Sequence, residues 1–169
     1  FYKQLTPEQL SSIKVVTGDG AKWITECVNE YTPGCARCVD PFHVVEWAMT
    51  ALDEVRKDIW HDAYSEYKQV KKDNPRGKGR PKKDAPGLAI VKAAKAKADE
   101  IKGSAYALGK APEHLSEKQQ LRVNLIASQN PRLYRAYLLK EQLRLLLKLT
   151  NVDEAEDELK RWLWKASHS

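Results

Sequence analysis

The sequence of 169 residues is poor in cysteine, methionine and long apolar runs, and each shortage excludes a class of protein. Three cysteines allow at most one internal disulfide, which excludes a disulfide-stapled scaffold and makes a reducing cytoplasm the expected compartment. The chain has no apolar run of about 18 residues and no signal-peptide pattern, so we expect no contact with a membrane. The only methionine is Met49 and the chain begins at Phe1, which predicts a fragment of a longer protein.

Basic charge is present, and it is concentrated in one short segment. Residues 71–83, KKDNPRGKGRPKK, contain seven lysines and arginines and one aspartate. The net charge of this segment is therefore +6, the same as the net charge of the whole chain. This pattern predicts a local element that binds a polyanion. Its Gly-Arg-Pro core is typical of a minor-groove hook, and a solvated linker is the alternative. The candidate DNA contacts are Arg76, Lys78, Arg80, Lys82 and Lys83.

The first 48 residues have the pattern of a parallel strand–helix–strand unit. Thr6-Pro7-Glu8 predicts a helix start, residues 13–16 predict a buried strand, and helical spacing begins at Ala21. Pro33-Gly34 ends this helix, and CARCV over residues 35–39 predicts a second strand. Short connections of this order are typical of an α/β fold with parallel strands.

The rest of the chain predicts helices and no convincing strand. A basic linker rich in glycine and proline, at 71–87, separates the first long helix from those that follow. Predicted helices cover residues 42–70, 88–107, 116–128, a segment from 131, and 152–166. We therefore expect a small α/β part over residues 1–48 and a helical part over residues 49–169.

Acidic residues follow both predicted strands. Asp19, between Gly18 and Gly20, ends the first strand, where parallel α/β units collect ligands. Its carboxylate is a candidate ligand of a divalent cation such as Mg²⁺, and a turn that caps the next helix is the alternative. Asp40 ends the second strand, and His43 follows at the start of the long helix. These two are candidates for an acid and an imidazole at a catalytic site, or for an N-cap and a polar residue of the first turn.

The cysteines permit a different hypothesis. Cys35 and Cys38 have the spacing of a zinc knuckle, with His43 and Cys27 as further ligands. A second pair of ligands is missing, however, and Cys38 lies in an apolar run, where a reduced cysteine is expected to be buried. Zinc is therefore the weaker hypothesis for this segment.

Glu141 is a candidate acid on a helix. It precedes Lys148 by seven residues, a pattern of metal-dependent nucleic-acid enzymes, and the charged face of an amphipathic helix is the alternative. Four helical tryptophans are expected to pack in cores or between helices: Trp47, Trp60, Trp162 and Trp164.

Three segments together resemble a known family. They are VVTGDGAKWI, CVDPFHVVEWAMTALDEVR and NPRLYRAYLLKEQLR, and over nearly the whole chain they resemble the DDE transposases of ISL-type bacterial insertion sequences. The resemblance implies a ribonuclease-H-like core in which three acids hold two Mg²⁺ or Mn²⁺ ions that cut and join DNA. Asp19 corresponds to the second acid, with Asp40 as the alternative, and Asp40 and His43 match an Asp-x-x-His motif.

The resemblance also implies what surrounds this piece. Residues 1–48 correspond to part of the catalytic core and residues 49–169 to a helical insertion. The first acid is expected before Phe1 and the final glutamate after Ser169, with Glu141 as the alternative, so the chain alone is expected to be inactive. The implied partners are transposon ends and target DNA, in a homodimer within the bacterial cytoplasm. A non-catalytic DNA-binding or architectural module that uses the 71–83 segment is the alternative function.

Overall fold

The computed structural model describes residues 1–75 and 87–168. It divides into two compact units, Phe1–Ala48 and Met49–Ser169, which are described separately below. Within the described residues, none of the helices is both long and apolar enough to cross a membrane.

The first unit contains two strands and the helices around them. A 3-10 turn at Tyr2–Gln4 is followed by α1 (Pro7–Ser12), β1 (Val15–Gly18), α2 (Lys22–Tyr31), β2 (Ala36–Val39) and the start of α3 (Pro41–Asp73). The start of α1 is fixed by a capping box, in which Thr6 Oγ1 accepts from the Gln9 N–H and Gln9 Oε1 accepts from the Thr6 N–H. The helix predicted after Thr6 is therefore confirmed.

The two strands form a parallel pair. Val15 pairs with Ala36, and the register continues to Gly18 opposite Val39. The predicted parallel strand–helix–strand unit is confirmed, but β1 begins two residues later than expected. The reason is that the Ile13 N–H still donates to Leu10 O at 3.2 Å, so residue 13 belongs to the exit from α1.

The second unit is helical throughout its described residues. Beyond the body of α3 it contains α4 (Leu88–Lys102), α5 (Ala105–Gly109), a 3-10 turn (Pro112–His114), α6 (Glu117–Gln129), α7 (Pro131–Leu146) and α8 (Val152–Ser167). The capping box predicted at Ser116 and Gln119 is present. The single helix predicted over 88–107 is wrong, because the chain breaks at Gly103, whose carbonyl accepts from Arg122 at 2.6 Å.

An apolar cluster holds the described residues of the second unit together. Val55, Ile59 and Trp60 of α3 pack against it. Burial of these side chains is the dominant favourable term for this unit. The buried members are Leu52, Ala63, Ala98, Ile101, Ala107, Leu108, Val123, Ile126, Leu133 and Tyr137.

Polar contacts attach α3 to α4. Glu66 of α3 and Lys97 of α4 form an ion pair at 2.7 Å. Arg56, which is buried, contacts Asp53 through two nitrogens and donates to Lys102 O at 3.4 Å. Its position in the Asp-Glu-Val-Arg segment therefore has a structural role.

A buried ion cluster lies beside the core of the second unit. Lys140 and Glu141 are only 3% and 6% exposed and form an ion pair. Glu141 also accepts from Arg144 Nε at 2.9 Å, and Arg144 donates to both carboxylate oxygens of Glu113 at 2.9 and 3.1 Å. Because Glu141 is buried and paired, its interpretation as part of a solvated charged face is wrong.

Removal of one anion from this cluster is expected to cost more than removal of an exposed anion. Glu141→Ala leaves the buried Lys140 ammonium without its carboxylate, so the free energy of unfolding should fall by about 3–5 kcal/mol. Glu156→Ala breaks an exposed pair with Lys160 and should cost at most about 1 kcal/mol. Urea unfolding followed by circular dichroism measures both changes, and equal effects of the two variants would contradict the assignment.

Candidate functional site

The carboxyl ends of β1 and β2 lie side by side and present two acids. Gly18, the last residue of β1, pairs with Val39, and the Asp40 N–H donates to Gly18 O at 2.8 Å. Asp19 and Asp40 therefore follow directly after paired residues. Neighbouring strands lie about 4.8 Å apart, so the main chain brings these acids to one edge of the sheet.

Each acid is held by a backbone amide just beyond its strand. Asp19 Oδ1 accepts from the Ala21 N–H at 2.9 Å, and Asp40 Oδ1 accepts from the Phe42 N–H at 2.9 Å. The N-cap contact considered for Asp40 is thus present, whereas Asp19 makes a turn contact only, because the N-cap of α2 is Ala21 and no side chain caps that helix. These contacts orient the two carboxylates, and they leave the catalytic and metal-binding roles as predictions.

His43 lies in the first turn of α3 and pairs along that helix. Its Nδ1 is 3.3 Å from Glu46 Oε2, and its backbone N–H donates to Asp40 O at 3.0 Å. The contact between His43 and Asp40 is therefore made by the main chain. Glu46 was not among the predicted site residues, although its spacing of three from His43 on a helix is the pattern that identifies it.

Arg37 of β2 reaches the same edge of the sheet. Its guanidinium donates to Cys38 O on its own strand and to Asp19 O beyond β1. Arg37 was not among the predicted site residues, because a single arginine in a four-residue strand has no motif around it. Only the pairing of the strands shows that it contacts a candidate acid's backbone.

Trp47 covers Gly20, next to Asp19. A Cβ added at Gly20 would lie 2.2 Å from Cζ2 of the Trp47 ring, so only glycine fits beneath the indole. Trp47 is nevertheless 51% exposed, and Trp164 in the second unit is 65% exposed. These two tryptophans are therefore not core residues, whereas Trp60 packs against the core of the second unit and Trp162 of α8 donates to Leu139 O of α7 at 2.8 Å, as expected for a residue between helices.

The cysteines do not form a knuckle. Cys35 precedes β2, and Cys38 lies within it and is exposed, so the expected burial of Cys38 is wrong. Cys35 lies in the turn after α2, where its N–H donates to Thr32 O at 3.0 Å and its Sγ lies 3.4 Å from Thr32 Oγ1. Within residues 1–75 and 87–168, no three histidine, cysteine or acidic side chains are grouped to hold a metal.

The predicted DNA contacts lie outside the described residues. Arg76, Lys78, Arg80, Lys82 and Lys83 all fall within 76–86. The described residues on either side of this segment are close together, since a Cβ on Gly87 would lie 2.2 Å from Asn74 Oδ1. Gly87 has a φ of 82°, which only glycine adopts readily.

Comparison with known proteins identifies the family. Residues 1–169 match the family model of ISL3-type DDE transposases, whose description is "Transposase". The chain belongs to this transposase family. The predicted resemblance to ISL-type transposases is thereby confirmed.

Two curated relatives of this transposase chain come from Mycobacterium tuberculosis, strains CDC 1551 / Oshkosh and ATCC 25618 / H37Rv. Both are named "Transposase for insertion sequence element IS1557", and each is 40% identical over 164 residues. The match covers 96% of this chain and 35% of each relative, so the chain spans about a third of their length. No solved structure matches it.

Substitution of Gly20 is expected to displace Trp47. Gly20→Ala places a methyl group where the indole lies, so the first unit should lose about 1–3 kcal/mol of stability and the Trp47 indole N–H signal should shift. Gly34→Ala is the matched control, because a Cβ there meets nothing within 4 Å, and it should change stability by less than about 0.5 kcal/mol. Nuclear magnetic resonance spectra and thermal unfolding report both effects. An unmoved Trp47 signal in Gly20→Ala would show that the indole does not occupy this position.

Proposed function

We propose that this chain supplies part of the catalytic core and the helical insertion of a transposase that cuts and joins DNA by metal-dependent phosphoryl transfer. The observation that carries the proposal is the pair of acids at adjacent strand ends in a chain of this family. The parallel pair supports a partial ribonuclease-H-like core over residues 1–48. In this proposal, residues 49–169 form the insertion.

The first unit supports a core that is completed by other polypeptide. Parallel sheets are normally covered on both faces. Here the described part of the first unit leaves Val15, Trp23 and Phe42 exposed, and its buried residues are Val28 and Thr32. These exposed apolar side chains are suited to packing against further strands and helices of the longer protein.

The donor set at the strand ends fits a hard divalent cation in part. Carboxylate oxygens are the ligands that Mg²⁺ and Mn²⁺ prefer, and Asp19 and Asp40 both offer them. Two carboxylates do not complete a site for two ions, so the remaining acids come from outside the chain. We assign Asp19 as the metal ligand, with Asp40 as the alternative second acid.

The residues of the chain divide the remaining tasks. Bound metal ions would activate the attacking oxygen and stabilise the leaving oxygen of the DNA phosphodiester. Asp19 holds its carboxylate at the sheet edge through the Ala21 amide, and Asp40 does so through the Phe42 amide. His43, in contact with Glu46, is placed one turn into α3 to support Asp40 or to contact the phosphate.

The basic segment gives the DNA-binding part of the proposal. Arg76, Lys78, Arg80, Lys82 and Lys83 neutralise phosphates of transposon ends or target DNA. The longer protein acts as a homodimer that joins two DNA ends. A DNA-binding module without catalysis would use the same segment and would not need the strand-end acids.

Substitution of the two acids separates these functions and ranks the two candidates. In the longer transposase that contains this chain, Asp19→Asn should lower strand transfer at least about a hundredfold, because a lost metal ligand removes several kcal/mol of transition-state stabilisation. Asp40→Asn should have the smaller effect. Asp62→Asn, at an exposed position of α3, is the matched control and should leave the rate unchanged.

Three results would contradict this assignment. A larger loss in Asp40→Asn would make Asp40 the second catalytic acid, and full activity of both variants would favour the non-catalytic module.

The 169-residue chain alone should not cleave DNA with Mg²⁺. Cleavage by the chain that Asp19→Ala abolishes would show that it already contains every acid required.

The basic segment should account for the salt dependence of DNA binding. A variant with Lys78, Arg80 and Lys82 each changed to Glu should flatten the slope of log affinity against log salt by about 0.9 for each lost phosphate contact. The control variant changes the exposed Lys92, Lys118 and Lys160 to Glu and carries the same change in charge. Duplex binding across a salt series compares the two. An equal loss of slope in both would show that binding follows net charge and not this segment.

A further inference from the structure

One side chain of β2 contacts the main chain just beyond the end of β1. Arg37 lies within β2, opposite Val16. Its Nη1 donates to Cys38 O, and its Nη2 donates to Asp19 O, 18 residues away in the sequence. The Arg37 guanidinium therefore contacts the backbone carbonyl of Asp19, beyond β1, and the backbone carbonyl of Cys38 on its own strand.

The path of this side chain follows the edge where the strands end. A Cβ on Gly18 would lie 3.9 Å from Arg37 Nη2 and 3.4 Å from Ile24 Cδ1 of α2, so the guanidinium passes beside Gly18. Arg37 Nε is buried without a hydrogen-bond partner. A buried cationic donor without an acceptor costs stability, and an apolar side chain would avoid that cost. The advantage of arginine here is therefore geometric.

The strand ladder does not by itself fix Asp19. Its last link is the hydrogen bond from the Asp40 N–H to Gly18 O. The contact with Ala21 orients the Asp19 carboxylate relative to its own turn, and the contact with Phe42 orients Asp40 relative to α3. Neither of these local contacts sets the position of one acid relative to the other.

We propose that Arg37 is a positioning residue whose forked guanidinium sets the spacing between Asp19 and Asp40. This inference rests on the proposed function, in which these acids serve one metal-dependent site. Arginine presents several N–H donors in a rigid plane and so contacts two carbonyls at once, whereas a lysine ammonium is a single point of charge on a flexible stem. Lysine at position 37 should keep the positive charge but no longer hold Asp19 and Asp40 at a fixed spacing.

Hydrogen exchange in the 169-residue chain tests the contact itself. In Arg37→Lys the amides of Ala21 and Asp40 should exchange at least about tenfold faster than in the unchanged chain, because a hydrogen bond from a charged group is lost. Arg135→Lys, on α7 in the second unit, is the matched control and should leave both amides unchanged. Unchanged exchange at both amides in Arg37→Lys would overturn the proposal.

Paramagnetic broadening by Mn²⁺ tests the consequence for the site. In the unchanged chain Mn²⁺ should broaden the signals of Asp19 and Asp40 together, and in Arg37→Lys the ratio of the two effects should change. A lower melting temperature with an unchanged ratio would assign Arg37 a purely stabilising role and overturn the proposal. If Mn²⁺ broadens neither acid in the unchanged chain, the two acids do not hold the ion without the acids from outside the chain, and hydrogen exchange decides whether Arg37 positions Asp19 relative to β2.

Discussion

The parallel pairing of β1 with β2 is the constraint on which the candidate site depends. Asp19 and Asp40 are 21 positions apart in the sequence, and they become neighbours only because Gly18 pairs with Val39. A shift of one residue in this register would move one acid along the edge and turn the side chains of its strand to the opposite face. The glycine at the end of β1 also leaves room for the Arg37 guanidinium beside it.

The second unit differs from the first in that it buries charged side chains among its helices. Lys140 and Glu141 are adjacent in sequence and both buried, so each would be costly without the other. Arg144 extends the cluster to Glu113, whose pKa is lowered by a backbone hydrogen bond and by its contacts with Arg144. This chain of contacts attaches the 3-10 turn at Pro112–His114 to α7. Ion pairs in this unit therefore hold the segment between α5 and α6 against α7.

Local patterns in the sequence predicted the local elements well. The N-cap at Thr6, the capping box at Ser116 and the order of strand, helix and strand follow from short-range chemistry that a sequence displays directly. Burial was harder to predict, because it depends on distant parts of the chain. Glu141 is charged, which favours the surface, and it is buried. Trp47 is large and apolar, which favours a core, and it is half exposed. The contact of Arg37 with Asp19 O depends on the pairing of two strands, which no local motif encodes.

The backbone contacts of the Asp19 and Asp40 carboxylates are compatible with metal binding. An ionised carboxylate has two oxygens with about four lone-pair positions, and each of these contacts uses only one position on a backbone amide. The amide restricts the rotation of the carboxylate and so lowers the entropy lost when a cation binds. The backbone contact of each acid and its proposed metal-binding role are therefore compatible, and what matters is the position of each carboxylate. An acid already held at the sheet edge by its own turn is a better ligand than one that is free to rotate, provided that the spacing between the two strand exits is fixed as well.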